Sequence, residues 1–280
     1  AMASAMSQLD NLIVGWLRGK VALGHYAMSY NVVSMPVHRV SQPVNRAVFA
    51  AFSRMQDSAE RMSRALVRTV RVLAGLAGPA MIGVSVMSPE VVGIVLGSRW
   101  APAAPLVAVL AMAGLFRALS GCYGVWIVAV GRPTGLARLK VCETVFFVGL
   151  VMGLTWYAGA LGAAWAALIV YALDYFLTLV FVGRINRGVL APLLGTLGRT
   201  AACCCLMAGT AFALRSLVQQ QALWVRAALP SILGAVVYCT AVWFWNRGLW
   251  DDLIAAWRSL RAGGGPQADG GGAGKAGMQA

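Results

Sequence analysis

Polar side chains recur inside the long apolar stretches of this 280-residue sequence. An ionisable group at the centre of a bilayer costs at least about 2–3 kcal/mol, so such a group favours a functional role. In the stretch 21–48, polar residues recur every three or four positions and share one helical face. We call this face the polar stripe; it consists of Asn31, Ser34, His38, Ser41, Gln42 and Asn45, with Arg39 and Arg46 beside it. We expect it to face a water-filled cavity or to pack against a further helix.

Two opposite charges are expected close to the bilayer midplane. Arg117 lies near the middle of the apolar stretch 102–130, and Asp174 lies near the middle of 160–182. Neither charge is expected to stay unpaired at that depth. We therefore predict that Arg117 or Arg39 neutralises Asp174, in an ion pair that is either functional or purely structural.

Two further acidic residues fall in apolar surroundings. Glu143 follows Lys140 by three residues, a spacing that favours a local pair near a helix end. Asp10 lies in an apolar segment, Leu9–Leu17, that is too short to cross a bilayer and looks like the end of a truncated span, so its depth stays open. Asp174, Asp10 and Glu143 are the candidates for binding a coupling ion.

The composition indicates that membrane-spanning helices position these residues. Apolar residues make up 60% of the chain, charged residues 11%, and the mean hydropathy is +0.73. Soluble domains carry about 25% charged residues, whereas apolar runs of about 20 residues are typical of membrane helices. The net charge of +14 resides mainly in short loops, as expected for membrane orientation, so nucleic acid is not an expected partner.

We predict seven complete membrane spans, at 21–48, 70–87, 102–130, 136–157, 160–182, 200–217 and 227–245. Cations concentrate in alternate loops, which predicts that those loops and the C-terminus are cytoplasmic. The predicted organisation has four parts. They are the end of a truncated span and an outer turn at 1–20, a transmembrane bundle at 21–185, two additional spans at 186–250, and a cytoplasmic Gly-rich disordered tail at 251–280.

The segment that precedes the second span is strongly basic. Arg61, Arg64, Arg68 and Arg71 follow one another at spacings of three and four, and Ser58 is placed to cap a helix. This pattern predicts an amphipathic helix on the membrane surface that leads into the next span.

Motifs of several function classes are missing from the sequence. There is no phosphate-binding glycine loop followed by Lys and Ser or Thr, no H-E-x-x-H, no G-x-S-x-G, and no cysteine pair with metal-ligand spacing. Neither an enzyme, nor ATP hydrolysis through such a loop, nor a cofactor is therefore expected. A membrane glycosyltransferase or polymerase would need a catalytic loop, and the outer loop 88–101 contains only Glu90 and Arg99 as ionisable residues.

Several motifs resemble one family of membrane transporters. They are Asp10–Gly15 with Ala22–Tyr30, the stretch Val48–Asp57 (VFAAFSRMQD), the stretch Gly97–Leu106 (GSRWAPAAPL), and Ala129–Pro133 (AVGRP). In this order and spacing they resemble Wzx-type polysaccharide flippases over residues 9–185. Ala50 stands where the family commonly has proline.

The resemblance implies an all-α fold, the C-terminal bundle of the MATE-like multidrug/oligosaccharidyl-lipid/polysaccharide exporter fold plus two extra spans. It implies a substrate in which oligosaccharide is linked to undecaprenyl pyrophosphate. It also implies a missing N-terminal bundle, and the polysaccharide polymerase machinery becomes a possible partner. Arg39, Arg46 and Arg117, with Asn31, His38, Gln42 and Asn45, are then the expected contacts of the anionic head group.

Two other functions fit the same resemblance. A cation-coupled multidrug antiporter shares the superfold but predicts an acidic cavity, whereas the charges of the polar stripe are basic. An inactive truncated remnant predicts a chain that fails to insert stably, because its polar stripe would have no partner.

Overall fold

The protein is described by a computed structural model that covers residues 2–53, 58–218, 221–246 and 248–252. Side chains are described within these ranges except at 2–8, 36–51, 53 and 59. Regular secondary structure in these ranges is helical: α1 (Met2–Ser53), α2 (Ala59–Val86), α3 (Ser88–Val95), α4 (Ala104–Ala129), α5 (Pro133–Ile185), α6 (Leu190–Leu217) and α7 (Leu223–Trp245), with 3-10 turns at Ser98–Ala103 and Arg187–Val189. The predicted all-α class is confirmed.

Two of these helices reverse direction at a glycine. Gly19 has a φ of 80° and Gly159 a φ of 65°, a region that residues with a side chain rarely adopt. The halves of α5 pack against each other as an antiparallel pair, with the rings of Phe147 and Tyr171 stacked at a centroid distance of 6.3 Å. We call the halves α1a (2–18), α1b (20–53), α5a (133–158) and α5b (160–185).

The predicted spans correspond closely to the observed helices. Among the described residues, five helices are long and apolar enough to cross a membrane: Glu60–Val86, Ser98–Ala129, Pro133–Ile185, Arg187–Leu217 and Leu223–Trp245. The longest of them contains two predicted spans, one on each side of Gly159. The predicted span 21–48 lies within α1b, which is helical but too polar to be among the five.

The basic segment before the second span does not form a separate surface helix. α2 begins at Ala59, where the Ser58 hydroxyl accepts a hydrogen bond from the backbone N–H of Arg61, and runs without a break to Val86. The predicted cap is confirmed, but the predicted surface helix is wrong. Good helix formers continue across the expected boundary, so the basic residues occupy the first turns of the membrane helix itself.

The helix ends lie on two opposite faces of the bundle. On one face, Arg18 donates from Nε to the carbonyl oxygen of Thr155 at 3.0 Å and so joins the turns at Gly19 and Gly159. On the other, the amide nitrogen of Asn186 donates to the Ser63 hydroxyl at 3.0 Å. We call the second the basic face, because the N-terminal turns of α2 lie there. α4 packs against α1, α2 and α5, and α6 lies outside α2 and beside α7.

Candidate functional site

Arg117 lies deep in the bundle among tyrosine side chains. It is near the middle of α4, about 20 Å from either end of that helix at 1.5 Å per residue. Its guanidinium donates a hydrogen bond to the hydroxyl of Tyr30 on α1b and lies beside the ring of Tyr171 on α5b. The guanidinium carbon also lies 5.6 Å and 5.8 Å from the centroids of these two rings, within the range of cation–π attraction.

Asp10 on α1a belongs to the same group of buried polar side chains as Arg117. Its side chain is fully buried, and its carboxylate accepts a hydrogen bond from the hydroxyl of Tyr26 at 2.9 Å and from the backbone N–H of Asn11 at 2.7 Å. The reversal at Gly19 makes the contact between Asp10 and Tyr26 possible. Arg117 is close enough to interact electrostatically with Asp10. We call Asp10, Tyr26, Tyr30, Arg117 and Tyr171 the tyrosine–arginine cluster.

The tyrosine–arginine cluster is compact and electrically balanced. One guanidinium and one carboxylate give no net charge. The cavity beside Arg117 has a volume of about 20 Å³ and is lined by Tyr30, Ser34 and Tyr171 among others, which is enough for about one water molecule. The expected water-filled cavity is therefore closed at this position in the observed conformation.

The polar stripe is described only in part. Asn31 is exposed, and the Ser34 hydroxyl donates to the carbonyl oxygen of Asn31 at 3.3 Å. The remaining predicted site residues of α1b lie outside the described side chains: His38, Arg39, Ser41, Gln42, Asn45 and Arg46. Their contacts with a head group stay predictions.

Asp174 pairs with Lys140 and not with Arg117, one of its two predicted partners; the side chain of the other, Arg39, lies outside the described residues. The Lys140 ammonium lies 2.6 Å from an Asp174 carboxylate oxygen and 2.9 Å from a Glu143 carboxylate oxygen. The predicted local pair of Lys140 and Glu143 is thus confirmed, but the predicted pairing of Asp174 with Arg117 is wrong. Folding of α5 at Gly159 places Lys140 of α5a opposite Asp174 of α5b, whereas Arg117 is directed toward the tyrosines.

The group formed by Lys140, Glu143 and Asp174, the Lys140 triad, carries more acid than base. Side-chain exposure is 5% for Glu143 and 2% for Asp174, but 32% for Lys140. The Thr178 hydroxyl donates to Asp174 at 3.2 Å. One ammonium faces two carboxylates, so the triad has one uncompensated negative charge when both carboxyls are ionised. A proton or another cation can neutralise that charge.

A second buried ion cluster was not predicted. It lies on the face opposite the basic face, where the turns at Gly19 and Gly159 also lie. Glu90 of α3 is 1% exposed, and its Oε1 accepts from Arg215 and Arg226 at 3.1 Å each. Arg215 also donates to the Val86 carbonyl oxygen at 3.0 Å. The cluster ties α3 to α6 and α7. The sequence did contain a signal for this cluster. Glu90 is an isolated acidic residue in a loop that is predicted to lie at the same membrane surface as Arg215 and Arg226.

The described residues offer no ready metal site. No group of three or more His, Cys, Asp or Glu side chains comes together among them. All six cysteines are free thiols.

Comparison with known proteins places these features in context. Residues 1–105 match a family model described as "Polysaccharide biosynthesis protein". The chain is 26% identical over 172 residues to the lipopolysaccharide biosynthesis protein WzxC of Escherichia coli (strain K12), covering 61% of this chain and 35% of that protein. It is 26% identical over 184 residues to the teichuronic acid biosynthesis protein TuaB of Bacillus subtilis (strain 168), covering 64% and 38%. The resemblance to Wzx-type proteins is confirmed.

A solved structure supports the fold independently of sequence. The chain superposes on the lipid II flippase MurJ in an inward closed conformation with a TM-score of 0.71 and 12% identity, covering 89% of this chain and 52% of that one. The predicted exporter-type membrane bundle is thereby confirmed as a fold. The chain spans 35% to 38% of the length of the two curated relatives described above.

Proposed function

We propose that this chain is the C-terminal bundle of a flippase for polysaccharide biosynthesis. Its substrate would be oligosaccharide units linked to undecaprenyl pyrophosphate, for O-antigen or exopolysaccharide, moved to the periplasmic leaflet of the bacterial inner membrane. The exporter-type fold and the relatives' names support this class of transport. The basic face would be cytoplasmic, since Lys and Arg residues accumulate on that side of bacterial membrane proteins.

The observation that carries the proposal is Arg117, a guanidinium held at mid-depth by tyrosine side chains. Such a group is costly in a membrane unless it serves an anionic ligand or a structural pair. Arg117 would bind the pyrophosphate together with Arg39 and Arg46, because a guanidinium can donate two parallel hydrogen bonds to phosphate oxygens. The cavity of about 20 Å³ beside it is too small for this group, so binding would require α1b to move away from α4, as alternating access demands.

The Lys140 triad is the proposed site of energy coupling. Glu143 and Asp174 give it one uncompensated negative charge, which a proton or another cation would neutralise. Asp10 was an equal candidate by sequence, but it already accepts from Tyr26 and faces Arg117. We therefore assign coupling to Glu143 and Asp174, and to Asp10 the role of holding the tyrosine–arginine cluster.

The same acidic excess favours one alternative, a cation-coupled multidrug antiporter. In that case a cationic drug would compete with the coupling ion at Asp174, and Arg117 would repel the substrate. The two functions therefore differ in which variant removes transport.

Genetic complementation tests the proposal. The chain is expressed in a strain that lacks its polysaccharide flippase, alone and together with an N-terminal bundle from the family, and surface polysaccharide is measured. The variants are Arg39→Ala, Arg46→Ala and Arg117→Ala at matched protein levels, and Lys20→Ala, an exposed cation outside the cluster, is the control.

The expected result is restoration by the wild type and by Lys20→Ala, with loss in the arginine variants. Restoration that survives all three arginine substitutions would refute the proposed head-group site. Failure to restore in both formats, despite correct insertion, would refute the flippase function itself. Drug resistance that depends on Asp174 but not on Arg117 would identify the antiporter.

A further inference from the structure

A large pocket opens on the basic face, away from the tyrosine–arginine cluster. Its volume is about 630 Å³, and it lies between α2, the turn that joins α5 to α6, and the helical turn at 248–252. It shares no lining residue with the cavity beside Arg117. Pockets of about 300–1,000 Å³ suit small ligands and head groups.

One wall of this basic-face pocket is a row of arginines. Arg64, Arg68 and Arg71 follow one another at spacings of four and three and therefore lie on one side of α2. The row extends about 10 Å along the helix at 1.5 Å per residue. The opposing wall is apolar and includes Val189 and Pro192. A cationic wall facing an apolar wall at a membrane surface matches an amphiphile with an anionic head.

The chain already places one carboxylate in this pocket. Asp252 lies 2.8 Å from Nε of Arg68 and 3.0 Å from a terminal nitrogen of Arg71, and its side chain is 13% exposed. Leu249 anchors the same turn. It is 1% exposed and so close to Gly75 that a Cβ there would lie 2.6 Å from its Cδ2. An anion thus has a demonstrated place on this arginine row.

Donor capacity remains after Asp252 is bound. A guanidinium has five N–H donors, and Asp252 makes one ion-pair contact with each of Arg68 and Arg71. Arg64 pairs with Glu60 at 2.8 Å, but the two side chains are 68% and 79% exposed. Exposed pairs of this kind contribute little and exchange readily. A phosphate group offers these donors more acceptor oxygens in a tetrahedral arrangement than the single carboxylate of Asp252 does.

We propose that the basic-face pocket binds the phosphate of a lipid head group on Arg64, Arg68 and Arg71, in exchange for Asp252. The ligand chemistry is a phosphate ester or pyrophosphate attached to an apolar chain, supplied either by an anionic phospholipid or by a polyprenyl pyrophosphate. Basic pockets between membrane helices on the cytoplasmic side are suited to such head groups. The proposal does not depend on transport by the tyrosine–arginine cluster.

The test measures binding to the purified full chain in phosphatidylcholine nanodiscs. The probes are short-chain phosphatidylglycerol, undecaprenyl pyrophosphate and inorganic pyrophosphate, and zwitterionic short-chain phosphatidylcholine is the blank. The protein variants are Arg68→Gln/Arg71→Gln and Asp252→Asn. Arg61→Gln is the matched control, because Arg61 lies on the same helix, is exposed, and does not line the pocket.

We expect the double variant to lose at least about tenfold in affinity for phosphatidylglycerol or for undecaprenyl pyrophosphate, since each surface arginine contributes about 1 kcal/mol to an anionic head group. Arg61→Gln should change affinity less than about twofold by the same reasoning. Asp252→Asn should bind more tightly, because the internal competitor loses its charge. The lipid that shows this pattern identifies the source.

Three results would overturn the inference. They are equal binding by the double variant and the wild type, equal binding of the zwitterionic blank, or weaker binding by Asp252→Asn. The variant Arg68→Lys/Arg71→Lys is a control for misfolding of the glutamine variant. It keeps both positive charges and should retain most of the binding. If it binds as poorly as the glutamine variant while both keep the wild-type melting temperature, head-group charge is not what the pocket recognises.

Discussion

The tyrosine–arginine cluster and the Lys140 triad both bury charge within membrane helices, but they compensate that charge differently. In the first, one guanidinium faces one carboxylate, and tyrosine hydroxyls supply the remaining partners. In the second, one ammonium faces two carboxylates, and its own side chain remains 32% exposed. The first is balanced and closed, and the second is acidic and partly open.

This difference separates two sites that the predicted pair of Arg117 and Asp174 would have joined. A balanced and enclosed group is preorganised, and it changes its interactions only when the helices around it move apart. A group with excess negative charge and a partly exposed ammonium can respond to the concentration of a small cation. The same contrast therefore assigns recognition to Arg117 and coupling to Glu143 and Asp174 in the proposed function.

The largest effect is expected where charge would be left uncompensated. Lys140→Met leaves Glu143 and Asp174 buried without a cation and should lower the free energy of unfolding by about 3–5 kcal/mol. Detergent-induced unfolding of the purified protein measures it, with the exposed Lys20→Met as control. Glu143→Gln in the same chain should recover part of the loss. A Lys140→Met protein as stable as the control would mean that both carboxyls are already protonated.

A smaller effect is expected in the balanced cluster. In a double-mutant cycle, Asp10→Asn and Tyr26→Phe should show a coupling energy of about 1.5–3 kcal/mol, as for a hydrogen bond to a charged group. Tyr157→Phe serves as the control, because Tyr157 is 89% exposed. Additive effects of the two changes would show that the hydroxyl of Tyr26 does not stabilise the carboxylate, and the cluster would then lose its anchor.

The smallest effect is expected for the hydrogen bond from Thr178 to Asp174 of the Lys140 triad. Thr178→Val removes one hydroxyl donor to Asp174 and should cost about 1 kcal/mol, the usual value for a single hydrogen bond. Thr240→Val is the matched control, since the hydroxyl of Thr240 is exposed and bonds only to backbone carbonyls of its own helix. If both variants unfold at the same detergent concentration, Thr178 does not help to hold Asp174.

The sequence was sufficient for the class of fold and for the positions of most helices. Apolar runs of about 20 residues leave a bilayer helix as the stable solution, because backbone polar groups in lipid must be satisfied within the segment. It also indicated the break between 157 and 160, since Gly159 lies between two runs that are each long enough to cross. The local pair of Lys140 and Glu143 followed in the same way from helical spacing.

The partners of the buried charges were beyond the reach of sequence reasoning. Estimated depth placed Arg117 and Asp174 near the midplane and Lys140 near a helix end, so depth alone favoured the wrong partner for Asp174. The choice depends on which side of each helix faces inward, and successive residues point about 100° apart. Glu90 was passed over for a related reason, because its partners lie more than 120 residues away in the chain.

The sequence by itself therefore determined that this chain forms apolar helices of membrane-spanning length and that it resembles Wzx-type polysaccharide flippases, because hydropathy and motif order can be read directly along the chain. Only the tertiary structure decided which charges meet. The reversals at Gly19 and Gly159 bring Asp10 to Tyr26 and Lys140 to Asp174, and side chains turned inward on separate helices exclude other pairings. Electrostatic energy depends on distance and burial, and both are fixed only when the helices pack.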